Sequence, residues 1–232
     1  MSEPKVAVIV RTFNEERVIE RFLKAYEGFP ILVADGGSKD ATLAICERYP
    51  NVTVRPFDGW VERGEVGRNP EGKHVNFLVD WATKDGYEWV IFDDCDCVPN
   101  QMLREDMRTI LSLEQAEAIY VVRIYLYKRE GCLIGMSKPR GHFEGSLWAW
   151  RTSSALRAIE DDPFMLGFPL FGRSWKVHEL MPPHCLLHDP WPDDEAIERK
   201  RQFYQALWPE HQVKHPKDFG GPLVPLPEWA HE

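Results

Sequence analysis

Short apolar runs that alternate with amphipathic helical patterns constrain this chain more than any other feature. Val6-Ala7-Val8-Ile9-Val10 runs to Thr12, Ile31-Leu32-Val33-Ala34 and Trp89-Val90-Ile91-Phe92 follow, and Val52 to Phe57 reads as a further strand. A β-branched-rich run with no polar alternation can face water on neither side, so it belongs in a parallel sheet covered on both faces. Helices are expected between the runs. Asn14 is placed to cap the first, Glu15 and Glu16 fall in its first turn where the helix dipole favours acids, and Val18, Ile19, Phe22, Leu23 and Tyr26 form one stripe that Gly28 ends. Asp35-Gly36-Gly37 turns after the second run, and Ser38 is placed to cap a helix with Leu43, Ile45, Cys46 and Tyr49 as core positions. A charged loop over 58–72 leads to a helix over Val75 to Thr83, and the fourth strand runs straight into Asp93-Asp94-Cys95-Asp96. This alternation predicts an α/β fold, a doubly wound sheet flanked by helices, with ligands at the carboxyl ends of the strands.

The remainder is mixed. Ala118 to Tyr127 alternates like a long strand, Leu147 to Trp150 is another, and Asp193 to Trp208 has a helical apolar side of Ile197, Phe203, Tyr204 and Leu207. These additions make the expected sheet a mixed one. At 232 residues the chain suits a single domain, with a half over 1–116, a half over 117–215 and an extended Pro-rich tail over 216–232. The charge divides unevenly: of the net −9, −7 lies in residues 1–116 and −2 in the rest. Such a balance excludes nucleic-acid binding by bulk charge alone, although it permits a local basic groove. Five cysteines at 46, 95, 97, 132 and 185 form no CxxC pair, which argues against a disulfide framework or a closed structural zinc site. No apolar run approaches a membrane span and charges occupy the first 25 residues, so the expected setting is soluble and cytoplasmic.

Polar clusters fall where strands end: Thr12-Phe13-Asn14, Asp35 and Asp94-Cys95-Asp96. In a parallel sheet these ends meet. Two carboxylates one residue apart can face a hard divalent cation, which takes oxygen ligands and keeps positions open for substrate phosphates. An Asp-x-Asp triplet alone is equally compatible with a solvated acidic turn. Its place directly after an apolar strand, with Asp35 at the end of another, favours the binding reading.

Val6 to Glu16 (VAVIVRTFNEE), Ile31 to Thr42 (ILVADGGSKDAT) and Val90 to Pro99 (VIFDDCDCVP) resemble successive motifs of family 2 glycosyltransferases with the GT-A fold. The resemblance implies a metal-dependent transferase that moves a sugar from a nucleotide-diphosphate donor, UDP-linked by expectation, to a hydroxyl acceptor with inversion. It implies that Arg11, Phe13 and Asp35 hold the nucleotide base, although the family usually has Pro where this chain has Arg11. Asp94 and Asp96 match the family's Asp-x-Asp, in which one acid touches ribose or bridges through the metal and the other binds Mn²⁺ or Mg²⁺. Arg68 and Lys73 lie where the family often places a basic residue near the nucleotide. Glu160-Asp161-Asp162 sits in the second half, where the family carries an acidic acceptor-side motif, which makes Asp161 or Asp162 the expected base, with Glu144 or Glu179 as substitutes; an acidic helix end before Pro163 is the plain structural alternative. The stretch His188 to Tyr204 resembles the family's carboxyl-terminal segment and makes His188 a third metal ligand.

Around these stand further candidates. His184 and His188 share one face of a short expected strand. Trp148, Trp150, Trp175 and Trp191 offer indole faces for an acceptor sugar, and are equally natural as core. Arg199-Lys200-Arg201 with Lys214, His215 and Lys217 forms the local basic cluster, ordinarily a solvated face. With a hydroxymethylated base in viral DNA as acceptor it would meet the backbone. Glycan, lipid and protein hydroxyls are the other acceptor classes, and no permanent protein partner is implied. Two other functions remain: a sugar-nucleotide nucleotidyltransferase, disfavoured because Arg11-Thr12-Phe13-Asn14-Glu15 lacks a Gly-rich phosphate loop, and a non-catalytic nucleotide-sugar-binding module.

Overall fold

The computed structural model describes residues 3–58, 71–112, 115–128, 130–133, 144–160, 168, 175–190, 192–207 and 223–230. Its four expected strands are present as β1 (Val6–Thr12), β2 (Ile31–Asp35), β3 (Val52–Pro56) and β4 (Trp89–Phe92), paired in parallel in the order β4-β1-β2-β3. The apolar runs are buried on both faces, as their composition requires. Val6, Val8 and Val10 pack on α1 (Ile19–Ala25) and α4 (Gln101–Leu111), while Ala7 and Ile9 pack on α3 (Glu71–Lys84). The short α2 (Thr42–Cys46) covers the first face through Cys46.

The sheet continues beyond β4 with antiparallel β8 (Glu144–Arg151) and then β6 (Ala118–Tyr127), which makes it mixed. The free side of β6 is taken by β9 (Val177–His188), parallel to it, and β9 also pairs antiparallel with the short β5 (Cys97–Pro99). The last pairing matters most for function. It aligns Cys97 with His188 and thereby carries the end of β9 to the exit of β4. α5 (Asp194–Leu207) then returns across the same end of the sheet.

Several local expectations are corrected. Asn14 does not cap α1, which begins five residues later without a side-chain cap; Asn14 has φ 58° and its Oδ1 accepts from the Lys39 backbone N–H at 2.8 Å. Ser38 likewise caps no helix; its hydroxyl accepts from the Asn14 N–H at 2.8 Å and donates to Asp35 at 2.5 Å. Both residues tie the β1 and β2 exit loops together instead, because short polar side chains serve loop backbone as readily as helix ends. The tail is not a simple surface segment: Leu223–Val224 form β10, antiparallel to β7 (Gly131–Leu133), and Ala230 is fully buried. Trp148 and Trp150 are fully buried core residues and Trp175 borders the core beneath α3, so the first two are unavailable for sugar stacking. Trp191 lies outside the described residues.

One clamp fixes the chain after β8. The Asn76 amide, buried within α3, donates to the Ala158 carbonyl at 3.0 Å and to Glu160 Oε1 at 2.8 Å, while its oxygen accepts the Ala158 N–H at 2.8 Å. Gly72, one turn earlier, lets this segment approach, since a Cβ there would lie 2.1 Å from the Ile159 carbonyl oxygen. Gly72→Ala is expected to force the two backbones apart and cost about 1–3 kcal/mol of stability, measured by urea unfolding. A stability equal to wild type would show that the segment is not held this closely.

Candidate active site

The exits of β1, β2 and β4 meet at one end of the sheet, in the register Thr12 beside Asp35 and Ile9 beside Phe92. Asp35 is 4% exposed, and its carboxylate accepts four hydrogen bonds: from Thr12 Oγ1 at 2.9 Å, from Ser38 Oγ, and from the Gly37 and Ser38 N–H groups at 2.8 Å each. Its first role is therefore to shape the β2 exit loop. Phe13 is half-buried at the end of β1, and Lys73 is exposed on the first turn of α3.

Asp94 and Asp96 leave β4 on a turn in which Cys95 points into the core. Each acid meets its own cation. Arg11 Nη2 and Nε address Asp94 Oδ1 at 2.9 and 3.3 Å, and Arg11 Nη1 lies 3.1 Å from Glu71 Oε2. Lys200 Nζ donates to Asp96 Oδ2 at 2.9 Å, and His188 Nε2 lies 3.2 Å from Asp96 Oδ1. Burial opposes ionisation of both acids. For Asp94, Arg11 and Arg123 outweigh it and hold the carboxyl below its usual value; for Asp96, Lys200 and His188 hold it well below. His184 does not join them, since its Nε2 lies 2.8 Å from Asp106 on α4.

The layer beneath is also charged. Asp93 is fully buried, takes a hydrogen bond from the Tyr26 hydroxyl at 2.9 Å, and lies 3.6 Å from Arg123 Nη2; Trp148 Nε1 donates to the same hydroxyl at 3.3 Å. Burial pushes the Asp93 carboxyl up to about 7, against the pull of Arg123 and Tyr26.

Three residues of this site escaped the sequence reading. Glu15, beside Asp96 and Asp94, has its carboxyl pushed up to about 7 by burial first and by those two charges next. Glu71 was read only as part of a charged loop. Lys200 was read within a basic surface cluster, yet it reaches Asp96. Its signal was its place on an amphipathic helix closely following His188. Arg68, Asp161, Asp162, Lys214, His215 and Lys217 lie outside the described residues, as does the side chain of Glu144. Glu179 is exposed on β9. Among the described residues no three His, Cys, Asp or Glu side chains cluster so as to hold a metal ion by themselves.

The family model described as glycosyl transferase family 2 matches residues 7–157, about two thirds of the sequence, including the exits of β1, β2 and β4. The chain belongs to glycosyl transferase family 2. Similar solved structures include S. aureus TarS 1-349 in complex with UDP, 16% identical with a TM-score of 0.55, covering 88% of this chain and 64% of that one. The complex of the same protein with UDP-GlcNAc is 17% identical with a TM-score of 0.56, covering 87% and 64%. This family member thus spans less than two thirds of the TarS chains, and the likeness is one of fold. No curated protein sequence matches it directly.

Glu15 sets a pH test of the family site. A carboxyl held near 7 in the folded chain, against a usual 4.5, contributes stability below about pH 4.5 that is lost as the pH rises through about 7. Glu15→Gln should therefore gain on the wild type between about pH 5 and pH 8, by roughly 1–2 kcal/mol once solvent screening is discounted, and differ little in acid. Parallel urea titrations across that range measure it; a difference independent of pH would place the Glu15 carboxyl in water.

Proposed function

We propose that this chain transfers a sugar from a nucleoside diphosphate donor, a UDP-sugar before others, to a hydroxyl acceptor. The observation that carries the proposal is the junction at Asp96, where a carboxylate, an imidazole from β9 and an ammonium from α5 converge at the carboxyl end of the sheet. The TarS complexes contain UDP and UDP-GlcNAc, which supports the choice of base. The donor half is residues 1–116, supplemented by His188 and Lys200, and the acceptor side is formed from 117–215.

The reading includes a divalent cation, Mn²⁺ or Mg²⁺. The donor set fits it: Asp96 Oδ1 and His188 Nε2 are 3.2 Å apart and supply one oxygen and one nitrogen, and two protein ligands leave the remaining positions to diphosphate oxygens and water. Bound there, the metal would neutralise charge growing on the departing diphosphate. Lys200, close enough to hold Asp96, would supply a second positive charge to the same group. Asp94, occupied by Arg11 on one oxygen, is better suited to the ribose than to the metal. Phe13, Asp35, Arg68 and Lys73 complete the proposed donor contacts.

Inversion requires a carboxylate to accept the proton of the acceptor hydroxyl. Asp161 or Asp162 takes this role in the proposal, on the chain that follows the Asn76 clamp at Glu160. Glycan, lipid, protein and modified-DNA hydroxyls all satisfy this chemistry. Five cysteines that are buried and unpaired agree with a cytoplasmic setting. Among the described residues no helix is long and apolar enough to cross a membrane.

Thermal unfolding with UDP, GDP and CDP, each with and without Mn²⁺, tests the proposal. One diphosphate, UDP by expectation, should stabilise the protein by about 2–4 kcal/mol at 100 to 1,000 times its Kd, and only with the metal. Asp96→Asn should abolish the Mn²⁺ dependence. No shift with any nucleotide would overturn the transferase reading, and a shift with triphosphates alone would favour a nucleotidyltransferase.

A further inference from the structure

Arg11 stands at the β1 exit, where the resemblance implies a contact to the nucleotide base. Its geometry describes another task. All three guanidinium nitrogens face carboxylates: Nε and Nη2 face Asp94 Oδ1 and Nη1 faces Glu71 Oε2. The side chain is 14% exposed, and its partners are 30% (Asp94) and 18% (Glu71). The planar fork thus joins three elements, the last turn of β1, the exit of β4 and the first residue of α3.

We infer that Arg11 and Glu71 are positioning residues that bracket Asp94, and that Arg11 does not read the base. The inference deepens the nucleotide-donor reading and rests on it. With Arg11 in place the trio carries one net negative charge. Without it, two half-buried carboxylates face each other across the gap, and an incoming diphosphate adds more negative charge to the same region. The penalty falls on the diphosphate, which is common to all nucleotides, and so it is blind to the base. A lysine supplies the charge without the fork, and one ammonium cannot hold two carboxylates in fixed relation.

The experiment compares wild type, Arg11→Ala, Arg11→Lys, Glu71→Gln and Arg11→Ala/Glu71→Gln. Affinities for UDP, CDP and GDP are measured by calorimetry with Mn²⁺, and thermal unfolding is measured without nucleotide. The bracket predicts that Arg11→Ala weakens every nucleotide that wild type binds by the same factor, on the order of tenfold or more. Removing the Glu71 charge in that background should recover part of the loss, and Arg11→Lys should fall between. In an Asp94→Asn background Arg11→Ala should cost little further affinity, because it acts through Asp94. A change in the ratio of UDP to CDP or GDP affinity would show instead that Arg11 touches the base. If wild type binds none of the three, the donor reading fails, while unfolding without nucleotide still judges the bracket: coupled effects of Arg11 and Glu71 support it, and additive effects overturn it.

Discussion

Everything at this end of the molecule depends on keeping two carboxylates ionised one residue apart in a poorly solvated turn. Asp94 and Asp96 repel each other, and burial disfavours the charge on both. The fold answers with cations from separate elements: Arg11 from β1, Lys200 from α5 and Arg123 from β6. None is a sequence neighbour of the acids, so the site exists only when the whole sheet and its last helix are assembled. An engineered chain stopping after β5 would keep the Asp-x-Asp and lose two of the three cations.

This dependence explains the second half of the fold. Parallel pairing of β9 with β6 sets its direction, and antiparallel pairing with β5 sets where it ends, so His188 arrives beside Asp96. The chain then turns into α5, whose start is fastened to the segment just before α1 by Arg17 with Asp193 at 2.8 Å and Glu195 at 3.1 Å. Exposed pairs of this kind contribute little stability singly. Their value here is orientation, because they place Lys200 over the turn. Under the proposed function the division into a donor half and an acceptor half is accordingly incomplete, since the proposed donor site borrows His188 and Lys200 from the later half.

The parallel half of the sheet was legible because its signal is local: an apolar run of five residues has few alternatives. The caps were misread because Asn14 and Ser38 are suited equally to helix ends and to loop ties, and only the meeting of the β1 and β2 loops decides between them. β5, β7 and β10 are too short to give a clear period, whereas α4 carries a readable one, with Leu103, Met107, Ile110 and Leu111 buried at helical spacing behind the Asn100 cap. In the site, Asp94, Asp96 and His188 were legible through motif spacing. Glu15, Glu71 and Lys200 were not, since their roles come from partners between about 60 and 105 residues away in sequence or from burial alone. Arg11 was legible through its motif, but its ion pairs with Asp94 and Glu71 were not.

Cys95, between the two acids, makes their separation workable. It is 5% exposed, packs in the core on the α1 and α4 side of the sheet and directs its thiol to the Arg11 carbonyl at 3.4 Å. Burial first, and the surrounding carboxylates after it, push that thiol well above its usual pKa, so it stays neutral and is a poor metal ligand. An inward-facing middle residue forces the flanking acids outward on the same side, while the Cys97 N–H closes the turn on the Asp94 carbonyl at 2.9 Å. The two carboxylates then diverge to different cations, Asp94 toward β1 and Asp96 toward β9 and α5. A single acidic turn thereby presents two chemically distinct sites, one already neutralised by a guanidinium and one beside an imidazole and an ammonium. Under the proposed function, the His188 nitrogen beside Asp96 is the second donor atom that Asp94 lacks, which is why the proposed cation is placed at Asp96.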